Sequence, residues 1–256
     1  MSDQFKNVLR RMIIERCGPQ KRGRPRKIDI DEAIEIVLDL VQSGIQWRRV
    51  KSNSVSYVTI HKHAMKWFNA NVVKDAYTVV LRWYRRFHPA KYYCIDSTMT
   101  KNQYGHDCVG RNPTDRGRKA TKVSTITDHN GVTLSLLSTP ANIPDVSLLA
   151  QTLNNCMENL ERLELFADKG YCSRSNSRCC TSFGLLDRIS RRKAKTMRRA
   201  NSKRCVIECS YSWIDKSRRL LMRFEKYVNT YEQMMYMVMG HLLCKRFKYE
   251  FSTNPL

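Results

Sequence analysis

Apolar residues recur through the first ninety positions with the period of an α-helix. Ile30, Ile34, Val37, Leu38 and Val41 fall at i, i+4, i+7, i+8 and i+11, a spacing that lines one helical face, and Gly44 is placed to stop it. Residues 1–16 predict a shorter helix before it. After Ser54 and Ser56, Tyr57, Ile60, Ala64 and Trp67 or Phe68 form a second stripe, which leaves His61, Lys62, His63 and Lys66 on the other sides. Ala76, Val79, Val80 and Trp83 form a third, closed by Arg82, Arg85, Arg86 and Pro89. Two helices with a Gly-containing joint and a basic outer face predict a helix-turn-helix-type unit; an ordinary helical bundle with a solvated basic face fits the same spacing.

From Lys91 the texture changes to short β-like runs at Tyr92 to Thr98, Lys122 to Thr127 and Val132 to Leu137. The last two are joined by Asp128-His129-Asn130-Gly131, and Asn-Gly between such runs is a strong hairpin signal. Past Pro140 and Pro144, Val146, Leu149, Leu153 and Met157 predict a helix with Asp145 at its N-cap. Leu163 to Ala167 reads as a further strand. Arg188 to Arg204 is too basic to be core. Val206, Ile207, Trp213, Ile214, Leu220 and Leu221 read as helical beyond it, and Thr230 to Phe247 as a Met-rich last helix whose side chains pack rather than bind a ligand. The order implies an α/β domain preceded by a small all-α domain. The expected boundaries are 1–27 for the first helix and a basic linker, 28–89 for the helical domain and 90–256 for the α/β domain.

Charge changes this picture from architecture to partner. Lys and Arg number 46 against 23 Asp and Glu, a net charge of +23, which points to a polyanion and first to nucleic acid. Gly23-Arg24-Pro25-Arg26 has the composition of an AT-hook, whose Arg24 and Arg26 would enter a narrow minor groove; a flexible basic linker or a localisation signal reads equally well. Ten cysteines with no C-x-x-C pair, no zinc-finger spacing and no apolar leader read as reduced thiols of an intracellular protein rather than as a disulfide framework or a zinc site. The most apolar run, Met234 to Cys244, is well short of the roughly 20 residues of a membrane span, so no membrane partner is expected.

Three acids stand out. Asp96 lies within the apolar strand Cys94-Ile95-Asp96-Ser97-Thr98, where a carboxylate needs a partner or a metal. Asp168 ends the run Leu165-Phe166-Ala167 and precedes Lys169-Gly170-Tyr171, where it would face a crevice. Glu208 is the sole acid between Asp187 and Asp215. Together they form a candidate cage for hard divalent cations, which take oxygen ligands and bridge to phosphates. Strand-end turn forming, and an i, i+4 pair of Glu208 with Arg204, would account for the same residues without a metal.

At these residues the chain resembles the DDE transposases of bacterial insertion sequences, and among them the insertion-sequence-five group. Gly23-Arg24-Pro25, the first helix and Ser43-Gly44-Ile45-Gln46-Trp47-Arg48 resemble that family's N-terminal region. Gly110-Arg111-Asn112-Pro113-Thr114-Asp115-Arg116-Gly117 is similar to its Asn-Pro-Thr-Asp-Arg-Gly segment, the most specific match. Tyr92 to Thr98, Ala167 to Tyr171 and Arg204 to Glu208 resemble its three acidic blocks. Ile143-Pro144 stand where Arg-His is usual, Cys209 where Arg is common, and Ser217 where an aromatic is usual.

The resemblance implies a ribonuclease-H-like, mixed-sheet catalytic domain with Asp96, Asp168 and Glu208 as catalytic and metal-binding residues. It implies Mg2+ or Mn2+, two ions per active site, as cofactor. It also implies a DNA transposase that binds terminal inverted repeats, cuts at element ends and joins them to target DNA, as a homodimer or higher assembly in the synaptic complex. Expected contacts to double-stranded DNA are Arg24, Arg26, Lys62, Lys66, Lys122, Arg191, Arg192, Arg198, Arg199, Arg218 and Arg219. The expected location is the bacterial cytoplasm, or the nucleus for a eukaryotic or viral source. A retained, catalytically inactive transposase acting as a DNA-binding regulator, and a metal nuclease without strand transfer, are the competing readings.

Overall fold

The computed structural model describes residues 3–18, 28–190 and 197–248, and for 197–201 the backbone alone. In chain order the elements are α1 (Asp3–Cys17), α2 (Ile30–Ser43), α3 (Tyr57–Asn69), α4 (Val72–Phe87), β1 (Tyr93–Asn102), β2 (Gly110–Arg111), β3 (Lys119–Asp128), β4 (Thr133–Pro140), α5 (Leu149–Asn154), β5 (Glu164–Ala167), α6 (Arg174–Ser182), β6 (Leu186–Ile189), α7 (Met197–Asp215), β7 (Met222–Arg223) and α8 (Val228–Arg246). They form two compact units, one of residues 1–84, 216–221 and 227–256, the other of residues 85–215 and 222–226.

The first unit is helical. Asp29 caps α2 by accepting from the Asp31 and Glu32 amides, and Gly44 ends it in the left-handed conformation at φ 76°, a geometry that favours glycine. The predicted stripe of α3 is buried at Ile60, Ala64, Trp67 and Phe68, whereas Tyr57 is exposed. Residues 44–56, which include a 3-10 turn at Trp47–Arg49, connect α2 to α3, a longer joint than the usual helix-turn-helix turn of about 3–4 residues.

The helix α8 belongs to this unit, whereas the pattern along the chain assigned all of 90–256 to the α/β domain. The reason is its surface. Tyr231 and the run from Met234 to Met239 are all buried, so α8 is apolar on every side. A sheet covers a helix on one face only, and here α1, α2 and α3 pack around it. At the contact with α1, a Cβ on Gly240 would lie 2.3 Å from the Phe5 ring, so no larger residue fits. Gln233 anchors the helix by accepting from the Lys74 amide and donating to Asn71.

The second unit is built on a seven-stranded mixed sheet. β1 runs antiparallel to β3 and β3 antiparallel to β4, whereas β5 is parallel to β1 and β6 parallel to β5. Read across, β4-β3-β1-β5-β6 is the ribonuclease-H-like arrangement the resemblance implied. The predicted hairpin is present: Asp128, fully buried, accepts from the amides of Asn130 and Val132 at 2.9 Å each, with Gly131 at φ 76°. Asp145 was expected to cap a helix. Instead it opens a 3-10 turn without a side-chain cap, and α5 begins at Leu149, because its carboxylate is engaged elsewhere.

Candidate active site

The sheet itself aligns two of the expected acids. On parallel strands β1 and β5 the last paired residues are Cys94 and Phe166, in register with each other. Side chains alternate along a strand, so Asp96 and Asp168, each two residues further on, stand at the same height and on the same face as that pair. β5 ends at Ala167, and β7 joins the same edge of β1 only at Lys101 and Asn102. The stretch of β1 around Asp96 therefore faces an opening between strands, the position where α/β sheets present their ligand-binding residues.

α7 closes over that face. Ile207, fully buried, packs on Cys94 and Phe166, and the Lys203 ammonium lies 4.7 Å from the Tyr92 ring centre, 4.5 Å from that of Phe166 and 3.0 Å from Glu164. Tyr211 locks the helix further: its hydroxyl donates to the Asp96 carbonyl at 2.8 Å and accepts from Thr125 at 2.8 Å. With these residues against the sheet, helical spacing brings Arg204 toward the opening and sets Glu208 on the same side one turn later.

Arg204 spans the two aspartates. Its Nη2 lies 3.4 Å from Asp96 Oδ2 and its Nη1 3.4 Å from Asp168 Oδ1. Burial raises the Asp96 pKa above the ordinary carboxylate range; the Ser97 amide and Arg204 oppose that shift, whereas the nearby Asp168 and Asp145 add to it. Two carboxylates at equal height sharing one cation also form an oxygen donor set that suits a hard divalent ion. Among the described residues no three acidic, His or Cys side chains converge closely enough to hold an ion. The structure brings Asp96 and Asp168 together, and leaves Glu208 exposed on α7.

Asp145 forms the other wall. Its Oδ1 accepts from Ser97 Oγ at 2.8 Å and from Lys122 Nζ at 2.8 Å, and the same ammonium donates to the Ile143 carbonyl at 2.6 Å. Lys122 was expected to contact DNA phosphate. It is 3% exposed and committed to these acceptors, so its part is to fix the turn beside Asp96. Tyr171, buried near Asp145, has its hydroxyl pKa pushed up chiefly by that burial. Lys122→Ala would leave the Ile143 carbonyl without this donor and the half-buried Asp145 carboxylate with Ser97 in place of a charged partner. Breaking a buried pair costs about 3–5 kcal/mol; because Asp145 is one-third exposed, a loss of about 2–3 kcal/mol in urea unfolding is expected, with Lys122→Met recovering the part due to the aliphatic stem.

Arg204 and Asp145 are the groups that motif reading undervalued. Arg204 was read as an i, i+4 partner of Glu208 and as the start of the third family block, and Asp145 as a helix cap next to the Ile143-Pro144 departure from the family pattern. Of the expected DNA contacts, Lys62 and Lys66 are exposed on α3 and line one open groove with His61, Met65 and Asn69. Arg218 is exposed, whereas Arg219 is 9% exposed and donates to the Ile45 carbonyl. Both lie in the helical unit. Arg24, Arg26, Arg191 and Arg192 lie outside the described residues, as do the side chains of Arg198 and Arg199.

Residues 88–243, more than half of the chain, match the family described as transposase DDE domain. The chain belongs to the DDE transposase family. A curated relative is the Burkholderia cepacia protein assigned as the transposase for insertion sequence element IS402, 31% identical over 142 residues, which are 52% of this chain and 65% of that protein. The chain thus matches under two-thirds of that relative's length. Similar solved structures include the crystal structure of the Mos1 strand transfer complex, 12% identical over 99% of this chain and 97% of that one at a TM-score of 0.36. Another is the Mos1 transposase paired-end complex with left transposon end, 11% identical over 99% and 98% at 0.30. These likenesses are too weak to bear on the site. Family membership implies dependence on a divalent metal ion, and the Asp96–Asp168 pair fits one.

Proposed function

We propose that this chain is a DNA transposase of the insertion-sequence-five group, which cuts at the terminal inverted repeats of its element and joins the freed ends to target DNA. The observation that supports this most is the pair Asp96 and Asp168, the first on β1 and the second just past the end of the parallel strand β5, both bridged by Arg204 of the helix that carries Glu208. In this reading all three are the catalytic acids and metal ligands. When bound, two Mg2+ or Mn2+ ions per site supply Lewis-acid activation of the attacking oxygen and neutralise charge on the leaving oxygen.

The protein's own groups set the stage for two in-line displacements. Asp96 is oriented by the Ser97 amide, 2.8 Å away, and its backbone is held by Tyr211. Asp168 is oriented by the Lys169 amide at 2.7 Å. In the first displacement water attacks the scissile phosphate and a 3′-hydroxyl leaves; in the second that hydroxyl attacks a target phosphate, with one phosphodiester bond broken and one formed. No side chain forms a covalent intermediate. The helical unit supplies Lys62 and Lys66 to the element ends, the chain acts as a dimer or larger assembly, and the compartment is the one that holds the element's DNA.

The test is incubation with duplex DNA carrying the repeats that flank the gene, with Mg2+ or Mn2+. Nicks at the element boundary that leave a 3′-hydroxyl support the reading; specific binding with no nick under either metal favours a retained regulator, and nicks spread through the duplex favour a nuclease. Binding should weaken steeply with salt, and Lys62→Gln with Lys66→Gln should lower the slope of log affinity against log salt by about 0.9 for each phosphate that the variant no longer neutralises. An unchanged slope would remove α3 from the interface.

A further inference from the structure

We propose that Arg204 is the resident counterion of the metal-free site, competing with the divalent cation for Asp96 and Asp168. This rests on the transposase reading of the site. Three observations carry it. First, the two ion pairs of Arg204 go to the two carboxylates that the sheet places at equal height, one nitrogen to each, so the guanidinium lies where a shared cation would. Second, it is 12% exposed and held over the opening by a helix fixed at Ile207 and Tyr211. Third, its Nε is buried with no hydrogen-bond partner among the described residues. The fork is two-thirds used at distances longer than a good charge-assisted bond of about 2.7–2.9 Å. Arg204 is therefore engaged but not optimally satisfied, which suits a group that must yield.

Two carboxylates approach the same guanidinium, one at each terminal nitrogen. Without a cation between them, like charges in a part-buried opening repel each other. The guanidinium removes that penalty while the metal is absent, and a metal must displace it to bind. A ligand that first evicts a side chain loses apparent affinity in proportion to the fraction of molecules in which the site is blocked. If Arg204 occupies the pair in about nine molecules of ten, its removal should tighten metal binding about tenfold.

The experiment is a Mn2+ titration of the full chain without DNA, reading free Mn2+ by electron paramagnetic resonance. It compares wild type with Arg204→Gln, Arg204→Lys, Lys203→Gln, Asp96→Asn and Asp168→Asn. Arg204→Gln should bind Mn2+ about five- to tenfold more tightly than wild type, melt at a lower temperature in EDTA and regain its melting temperature with Mn2+. Arg204→Lys, whose single ammonium cannot span both carboxylates, should be intermediate and keeps the variant set interpretable if the glutamine form folds poorly. Lys203→Gln removes an adjacent charge that pairs with Glu164 instead, and should change affinity less than twofold. Equal or weaker Mn2+ binding by Arg204→Gln, or equal tightening by Lys203→Gln, overturns the inference. If Asp96→Asn and Asp168→Asn bind Mn2+ as wild type does, the metal site itself is wrong, and the inference falls with it.

Discussion

Asp168→Asn is expected to lower the rate of end cleavage by about three orders of magnitude or more, while binding to the terminal repeats stays within about twofold of wild type. A metal in such a site stabilises transition-state charge by several kcal/mol, and each 1.36 kcal/mol is a factor of about ten. The substitution keeps the shape of the side chain and its capacity to accept from the Lys169 amide, so the loss falls on chemistry rather than folding. It also removes a negative charge beside Asp96, whose carboxyl that neighbour helps to push up. Thermal stability of the metal-free protein should therefore not fall. A variant that loses cleavage together with repeat binding or melting temperature would point to a structural role for Asp168.

Arg223→Ala should be the most damaging single change to the α/β unit. Arg223 is fully buried, and its guanidinium donates to the carbonyls of Asp107, Glu225 and Lys226, to the Thr121 hydroxyl and to the Asp107 carboxylate. It ties β7 and the turn at residues 103–107 to the start of β3. Removing it strands the buried Thr121 hydroxyl and the neighbouring carbonyls; a broken buried charge network costs about 3–5 kcal/mol, and because the Asp107 carboxylate is 42% exposed the loss should lie toward the lower end. Urea unfolding followed by tryptophan fluorescence would show the loss as an early transition. Arg223→Lys, which can reach only some of these acceptors, should fall between. A loss below about 1 kcal/mol would mean that water replaces the missing donors.

The helices of the first ninety residues, the three long strands and the Asn-Gly hairpin were legible because each carries a strong local signal: a 3.6-residue stripe, an apolar run or a turn dipeptide. α6 and β6 were not. Arg174–Ser182 is polar with only Asn176 and Cys180 buried, and Leu186-Asp187-Arg188-Ile189 is four residues long with two charges, so neither shows periodicity; parallel pairing with β5 makes the strand. The placement of α8 was illegible for a different reason, since an all-round apolar helix does not say which neighbours bury it. At the site, Asp96 and Asp168 announced themselves as acids in or beside apolar strands. Their common height depends on the β1–β5 register, which no local pattern encodes. Lys122 misled because its charge is visible in the chain and its burial is not.

In the proposed function the aspartate pair beneath α7 serves DNA strand transfer. Its most direct test is the joining of pre-cut element ends, bearing a free 3′-hydroxyl, to a circular target plasmid with Mg2+ or Mn2+, comparing wild type with Asp96→Asn and Asp168→Asn. Metal-dependent single- and double-end joined products from wild type, absent from both variants although each still binds the ends, are the predicted result. Joined products that persist in either variant, or ends that wild type binds under both metals without joining, would contradict the account.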